Sequence, residues 1–193
     1  MIAAVVVSDE FRAADSNRAV PRSHSMRESC MRSFRVGGGL IVVDNRLLLA
    51  ANRRKHGAIE WTPPGGVIDN GESVRMGITR EVREETGLHV AEWHECHYTV
   101  SVEAPDMGWT MSVESWFSPA AAGEIALEDP DGIVEQALFV DLDKVEGLLV
   151  ESPMWVRVPL MAWINGGMGP AGDFSFRLIG SDRSTARVEQ ISR

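Results

Sequence analysis

Cysteine is almost missing from this chain: Cys30 and Cys96 are the only two in 193 residues. Two cysteines without CxxC spacing exclude a disulfide scaffold and a cysteine-based zinc site, and both thiols are expected to be reduced. Long apolar runs are missing as well. No stretch approaches the roughly 18–20 residues that span a bilayer. The opening Met1 to Val7 is short, has no basic flank in front and runs straight into Asp9 and Glu10. A secretory leader is therefore not expected, and a cytoplasmic location is. Positive charge is the third shortage, with 28 Asp plus Glu against 19 Lys plus Arg and a formal net charge of -9. Neutralising many phosphates needs many Lys and Arg, so no nucleic acid is expected as a partner, and no membrane.

What remains is one domain's worth of ordinary globular sequence, 44% hydrophobic, enough to bury a core. Charge is unevenly spread along it. Residues 1–33 carry five arginines against four acids, whereas 102–151 carry twelve acids and the single base Lys144. Residues 1–33 are polar, rich in Ser and Arg and without a clear period, which predicts a poorly ordered arm. Organised sequence is expected over 34–163, and 164–193 reads as a glycine-rich extension packed on that domain.

Within 34–163 the pattern predicts a strand from Phe34 to Val43, a turn at Asp44-Asn45 and a returning strand from Arg46 to Ala51,. The basic cluster Arg53-Arg54-Lys55 follows in a loop. Paired prolines and paired glycines in Trp61-Thr62-Pro63-Pro64-Gly65-Gly66 forbid regular helix there. Residues 73–86 read as helix, with Ser73 as N-cap and Gly87 as the stop. Two β-like runs, 93–103 and 109–118, come next. In the first, Cys96, Tyr98, Val100 and Val102 fall on one face and His97, Thr99 and Ser101 on the other. A strand at Gln136–Val140, a short helix at Leu142–Leu149, a helix at Met154–Trp163 and a strand at Phe174–Ile179 complete the reading. Strands and helices mixed around one central helix predict an α/β sandwich with a mixed sheet.

The chemistry lies in Gly66 to Leu88. On a helix, Glu81 and Glu85 are i,i+4 neighbours on one face with Glu84 beside them. Carboxylates packed this closely repel, and a divalent cation resolves the repulsion. Hard oxygen ligands without Cys or His favour Mg²⁺ or Mn²⁺ over zinc. Arg80 lies one turn before Glu84 and next to Glu81, where its guanidinium can orient a carboxylate. The pair Gly65-Gly66 lets backbone approach closely enough for a carbonyl to join the ligands.

Gly66-x5-Glu72-x7-Arg80-Glu81-Val82-x-Glu84-Glu85-x-Gly87-Leu88 resembles the Nudix box at every fixed position, and Trp61-x-Pro63-Pro64-Gly65-Gly66 resembles the family's lead-in. The resemblance covers roughly residues 34–163. It implies a Nudix-type α/β/α sandwich with a central mixed sheet. It further implies Mg²⁺-dependent hydrolysis of a nucleoside diphosphate linked to another group X, with a small nucleotide as partner and a homodimer as a possible assembly. By that resemblance Glu81, Glu84, Glu85 and the backbone of Gly66 hold the metal, Glu84 doubles as a base, and Arg80 orients them. A later glutamate, Glu128 or Glu135, supplies a base or further ligand, with Glu135 favoured because it precedes the strand Ala137–Val140. Arg53, Arg54 and Lys55 are candidates for substrate phosphates, with Glu72 as a supporting loop carboxylate on the substrate side. The departure from the commoner pattern is Met76-Gly77-Ile78; a mid-helix glycine costs about 1 kcal/mol relative to Ala and points to a close backbone contact.

Other residues read as structural. His94, Cys96 and His97 alternate across a strand and do not converge as ligands. Trp155 and Trp163, at i,i+8, read as core, Trp61 as structural, and Trp109 or Trp116 as weaker pocket candidates. Pro105 lies about where ADP-ribose hydrolases of the family carry a proline, although a turn also explains it. A nucleoside triphosphate, oxidised ones included, is the rival substrate. A nucleotide-sensing module without turnover is disfavoured because no box carboxylate is lost, and an isomerase because no catalytic cysteine lies near the box.

Overall fold

The computed structural model describes residues 31–54, 57–130, 132–182 and 185–191. The arm expected over 1–33 lies outside them apart from its last three residues, and Lys55 lies outside them too. Among the described residues the chain forms β1 (Arg32–Val43), β2 (Arg46–Arg53), β3 (Ile59–Thr62), β4 (Gly65–Val67), α1 (Val74–Thr86), β5 (Cys96–Ala104), β6 (Trp109–Ser118), β7 (Val134–Asp141), α2 (Val145–Leu148), α3 (Met154–Asn165), β8 (Gly172–Ile179) and β9 (Arg187–Gln190). The strands form one sheet in the order β3-β2-β1-β6-β5-β8-β9, with β4 paired to β1 and β7 to β2. The β1–β6 and β5–β8 pairs are parallel and the rest antiparallel, so the sheet is mixed.

The predicted turn closes the β1–β2 hairpin. Asp44 and Asn45 both adopt positive φ, 50° and 60°, the conformation a two-residue hairpin loop needs and Asp and Asn tolerate. Alternation then sends side chains to two faces. Leu40, Leu47 and Leu49 join Leu160 and Trp163 of α3 in the larger core. Ile41 and Leu48 join Ile78 and Val82 of α1 in the smaller one. The sheet is thus sandwiched between α1 and α3, the α/β/α arrangement.

Glycines in β1 set the distance of α1. A Cβ on Gly37 would stand 2.4 Å from Ile78 Cγ1, and one on Gly39 2.8 Å from Trp93 Cη2. No side chain fits there without displacing the helix. On the opposite edge β8 pairs with β5 and β9 with β8, so the segment after 165 extends the same sheet.

Three expectations need correction. Residues 32 and 33 belong to β1, because Arg32 donates to the Gly108 carbonyl at 2.9 Å and pairs with Trp109; polar edge residues hide such pairing from a hydrophobic pattern. The strand expected from residue 93 starts at Cys96, and its register shifts between Cys96 and Tyr98. That bulge turns His97 inward, where it is 4% exposed, while Cys96 is only half-buried. From Tyr98 onward the predicted alternation holds, with Val100 and Val102 buried.

Candidate active site

Helix α1 assembles the site. Its N-terminus is capped by Ser73, whose side chain accepts from the Met76 N–H at 3.3 Å, and it ends where Gly87, at φ 74°, donates to the Arg83 carbonyl at 2.8 Å. Ile78 and Val82 anchor one stripe in the smaller core, and the same stripe carries Glu81 and Glu85 inward, each 3% exposed. Glu84 stays half-buried at the rim.

The glycine pair before the helix fits these carboxylates. A Cβ on Gly66 would stand 2.5 Å from Glu81 Cδ, so this position has room for the carboxylate only as glycine. Gly65 donates its N–H to Glu85 Oε2 at 2.9 Å. Both glycines are held by β1, Gly66 opposite Gly37 and Gly65 opposite Gly38.

Arg80 ties the cluster together. Its Nη1 donates to Glu81 Oε1 at 2.8 Å and to Glu84 Oε2 at 3.3 Å, and its Nη2 donates to Glu72 Oε2 at 3.2 Å and to the Val67 carbonyl at 3.1 Å. One guanidinium therefore spans three carboxylates and the loop backbone. Gly77 serves the same contact, since a Cβ there would meet Ile68 Cδ1 at 2.4 Å and Glu72 Oε2 at 2.9 Å.

Burial and charge compete at each group. Burial pushes the Glu81 carboxyl up, more than the Arg80 contacts pull it down. Burial also acts to raise Glu72, but there Arg80 and the Asp69 N–H together win and hold it below the usual range. Burial acts to lower the Arg80 guanidinium, and its bonds to Glu72 and Glu81 outweigh that and raise it. The cluster thus holds more buried negative charge than one arginine satisfies.

As they stand, no three Asp, Glu, His or Cys side chains among the described residues converge tightly enough to hold an ion. The donor set nevertheless fits Mg²⁺ or Mn²⁺ in kind. It is all oxygen, two of its carboxylates are desolvated, and burial raises the Glu81 carboxyl,.

The family model described as "NUDIX domain" matches residues 33–163. The chain belongs to the Nudix family. It is 39% identical over 56 residues to the "Uncharacterized Nudix hydrolase YvcI" of Bacillus subtilis, covering 29% of this chain and 34% of that protein. Over 130 residues it is 28% identical to the "ADP-ribose pyrophosphatase" of Methanocaldococcus jannaschii, covering 66% of this chain and 73% of that one. It also matches the mouse "Oxidized purine nucleoside triphosphate hydrolase", 38% identical over 56 residues. The chain spans only 34% and 36% of the length of the Bacillus and mouse relatives. Among solved structures, a MutT protein from Bacillus halodurans superposes with a TM-score of 0.60 at 21% identity, over 81% of this chain and 97% of that one, which shows the shared fold. A MutT NUDIX hydrolase from Burkholderia pseudomallei gives 0.56 at 26% identity, over 67% and 97%. Residues 33–163 are thus a NUDIX domain.

Around the Nudix box, the basic residues expected to meet phosphate are already engaged. Arg54 is buried, with Nε and Nη2 each 2.7 Å from Glu60 Oε2. Arg53 is exposed and ion-paired with Glu135. The two residues assigned to phosphate and to the base role thus meet each other, because Asn52 lies opposite Val134 where β2 pairs with β7. The other loop glutamate is tied to the box helix instead: Glu128 donates its N–H to the Glu84 carbonyl at 3.2 Å, and Ala126 donates to Thr86 at 3.0 Å. Those carbonyls lie in the last turn of α1 and lack intrahelical partners, a requirement that spacing alone did not connect to a loop some forty residues on.

Sequence reasoning also missed the buried polar row on β2 and β3. Asn52 donates to Thr62 Oγ1 at 3.0 Å, next to the Arg54–Glu60 pair. These contacts brace the strand that leads into Pro63-Pro64-Gly65-Gly66. The structural readings of His97 and Trp163 match what is seen: Trp163 Nε1 donates to His97 Nδ1 at 2.8 Å, and Phe117 stacks on the imidazole.

Proposed function

We propose that the protein hydrolyses the pyrophosphate linkage of a nucleoside diphosphate joined to another group X, releasing a nucleotide and phosphorylated X. The observation that carries this reading is the burial of Glu81 and Glu85 against Gly65 and Gly66, with one arginine shared among Glu72, Glu81 and Glu84. Buried carboxylates without equal positive charge are costly unless a ligand supplies it. Glu81, Glu84, Glu85 and the Gly66 carbonyl are the groups that would hold Mg²⁺, or Mn²⁺ in its place. When bound, such an ion polarises phosphoryl oxygens and acidifies water.

The chain's own residues supply the rest. Gly65 orients Glu85 through its N–H, and Arg80 fixes Glu81 and Glu84 in place by donating to both from one nitrogen. Glu84, at the rim, is placed to take a proton from an attacking water. Of the two loop glutamates, Glu128 is preferred over Glu135 as a helper, because its backbone is bonded to Glu84 while Glu135 neutralises Arg53.

ADP-ribose is the leading substrate, supported by a relative named ADP-ribose pyrophosphatase, 28% identical over 130 residues. A nucleoside triphosphate is the second reading, supported by relatives named oxidized purine nucleoside triphosphate hydrolase and CTP pyrophosphohydrolase. A phosphate-release screen with Mg²⁺ over ADP-ribose, NADH, diadenosine polyphosphates and nucleoside triphosphates tests both. Turnover of one class selects it. Tight binding of one compound with no turnover of any would sink the hydrolase reading in favour of a sensing module.

A further inference from the structure

The path of the sheet ends on β3 at one side and on β9 at the other, and the two ends are finished differently. The outer side of β3 is capped, because Ser152 donates its hydroxyl to the Trp61 carbonyl at 2.7 Å. Among the described residues, nothing pairs with the outer side of β9. The ladder to β8 fixes which groups are left over. Ile191 donates its N–H to the Ser175 carbonyl at 2.8 Å, and Glu189 and Arg187 stand opposite Arg177 and Ile179 in the same alternation. In an antiparallel ladder every second residue turns its N–H and C=O toward the partner strand, and the residues between turn theirs away. Ala186, Val188 and Gln190 therefore direct theirs outward.

An unpaired edge is a template for another strand, and chains that stay monomeric block it with proline, like charges or a covering loop. β9 has no proline, and its charges do not repel a second β9. Arg187 and Glu189 lie on one face, with Nη2 and Oε1 2.6 Å apart, and Val188 lies between them on the other, packed with Ala186 against the larger core. Pairing β9 antiparallel with a second copy, about a two-fold axis through Val188, satisfies both faces at once. Val188 then meets the partner's Val188, and Ala186 meets the partner's Gln190, so outward groups bond only to outward groups. Arg187 meets the partner's Glu189 at the positions without backbone bonds, where side chains come closest and opposite charges stabilise. Other registers fail. An axis on Arg187 or on Glu189 sets that charge against itself, and an axis between two residues sets outward groups against groups already bonded to β8.

We propose that β9 is a self-pairing edge through which two copies of this chain join their sheets about an axis at Val188. The surface lies beyond residue 163, outside the segment matched as the NUDIX domain. It is also four strands away from β1, on which α1 packs, so pairing leaves the carboxylate cluster open. An isologous contact made by one short strand is small and therefore weak; its dissociation constant is expected on the order of 10 µM.

Sedimentation velocity of the full chain, over a concentration series that brackets this value, should show monomer passing into dimer. Arg187→Glu creates two like-charged pairs across the axis and should raise the dissociation constant about tenfold, as should Glu189→Arg. The two substitutions together restore opposite charges and should return the wild-type value. Val188→Pro, at a position whose N–H β8 does not use, should abolish the dimer while β9 stays on β8. Where the proline releases β9 instead, cysteine reads the register directly. Under mild oxidation Val188→Cys should link two chains at the axis, and Gln190→Cys, which faces the partner's Ala186, should not, with the unsubstituted chain as control for Cys30 and Cys96. A chain that stays monomeric throughout, single reversals without effect, a double reversal that fails to restore, or equal linking at 188 and 190 overturns the proposal.

Discussion

The two faces of the sheet are built from neighbouring residues of the same strands, yet they do different work. Facing α3, Leu40, Leu47, Leu49, Leu160, Trp163 and Phe176 are fully buried and apolar. Facing α1, the buried apolar set shrinks to seven residues, and Glu81, Glu85, Asn52, Arg54 and Glu60 are buried as well. Apolar burial stabilises at about 25 cal/mol per Å², whereas a buried carboxylate works against folding unless compensated. The α3 face therefore carries most of the stability, and the α1 face carries the buried carboxylates that the proposed cation would meet. A fold that divides its labour in this way should lose activity and stability through different substitutions.

The largest effect should come from Glu85→Gln. The amide keeps an acceptor for the Gly65 N–H but removes the charge, and kcat should fall at least about 10²-fold with the melting temperature preserved or raised. Near-normal kcat, or loss of folding in step with activity, would erase the distinction between the faces. On the opposite side, Leu160→Ala should remove about 2–5 kcal/mol of stability in urea unfolding and leave kcat per folded molecule unaltered. A drop in kcat at a temperature where the variant is fully folded would show the faces to be coupled.

A smaller effect is expected from His97. Burial lowers its pKa, with the nearby Glu95 carboxylate opposing and His94 adding to the lowering, and the bond from Trp163 requires an unprotonated Nδ1. Because the folded-state pKa lies below the unfolded one, the folded state resists protonation. Stability should be full above about pH 6.5, the unfolded value, and decline as pH falls through the lower folded value. His97→Gln should flatten that decline in a series of melts; an unchanged slope would place its origin elsewhere. Smallest is a paired test of glycines. Gly147, in α2, has open space where a Cβ would go, while Gly77 faces Ile68 and Glu72. Ala at Gly147 should gain up to about 1 kcal/mol and Ala at Gly77 should not. Equal gains would mean that α1 can shift away from its loop at no cost.

The helix, its two caps, the hairpin turn and the box carboxylates were all legible in the chain because each depends on contacts within a few residues. Ser73 reaches Met76, Gly87 needs one positive φ, and Asp44-Asn45 need two. Gly77 announced a close contact by its helix cost, though not that Ile68 and Glu72 make it. Arg80 was legible beside Glu81 and Glu84, which lie within one turn of it, but the partners of Arg53 and Arg54 were not. Arg54 and Glu60 lie six residues apart and Arg53 and Glu135 eighty-two, and which carboxylate an arginine meets is decided by strand register. That register sends Glu135 to β2, while a loop backbone bond holds Glu128 at the last turn of α1. Local chemistry, then, is set by the order of residues, because caps, turns and i,i+4 pairs need nothing else. The burial of Glu81 and Glu85 and the bulge at His97 arise only when distant strands and helices close on one another, because desolvation belongs to the packed molecule and not to any segment of it.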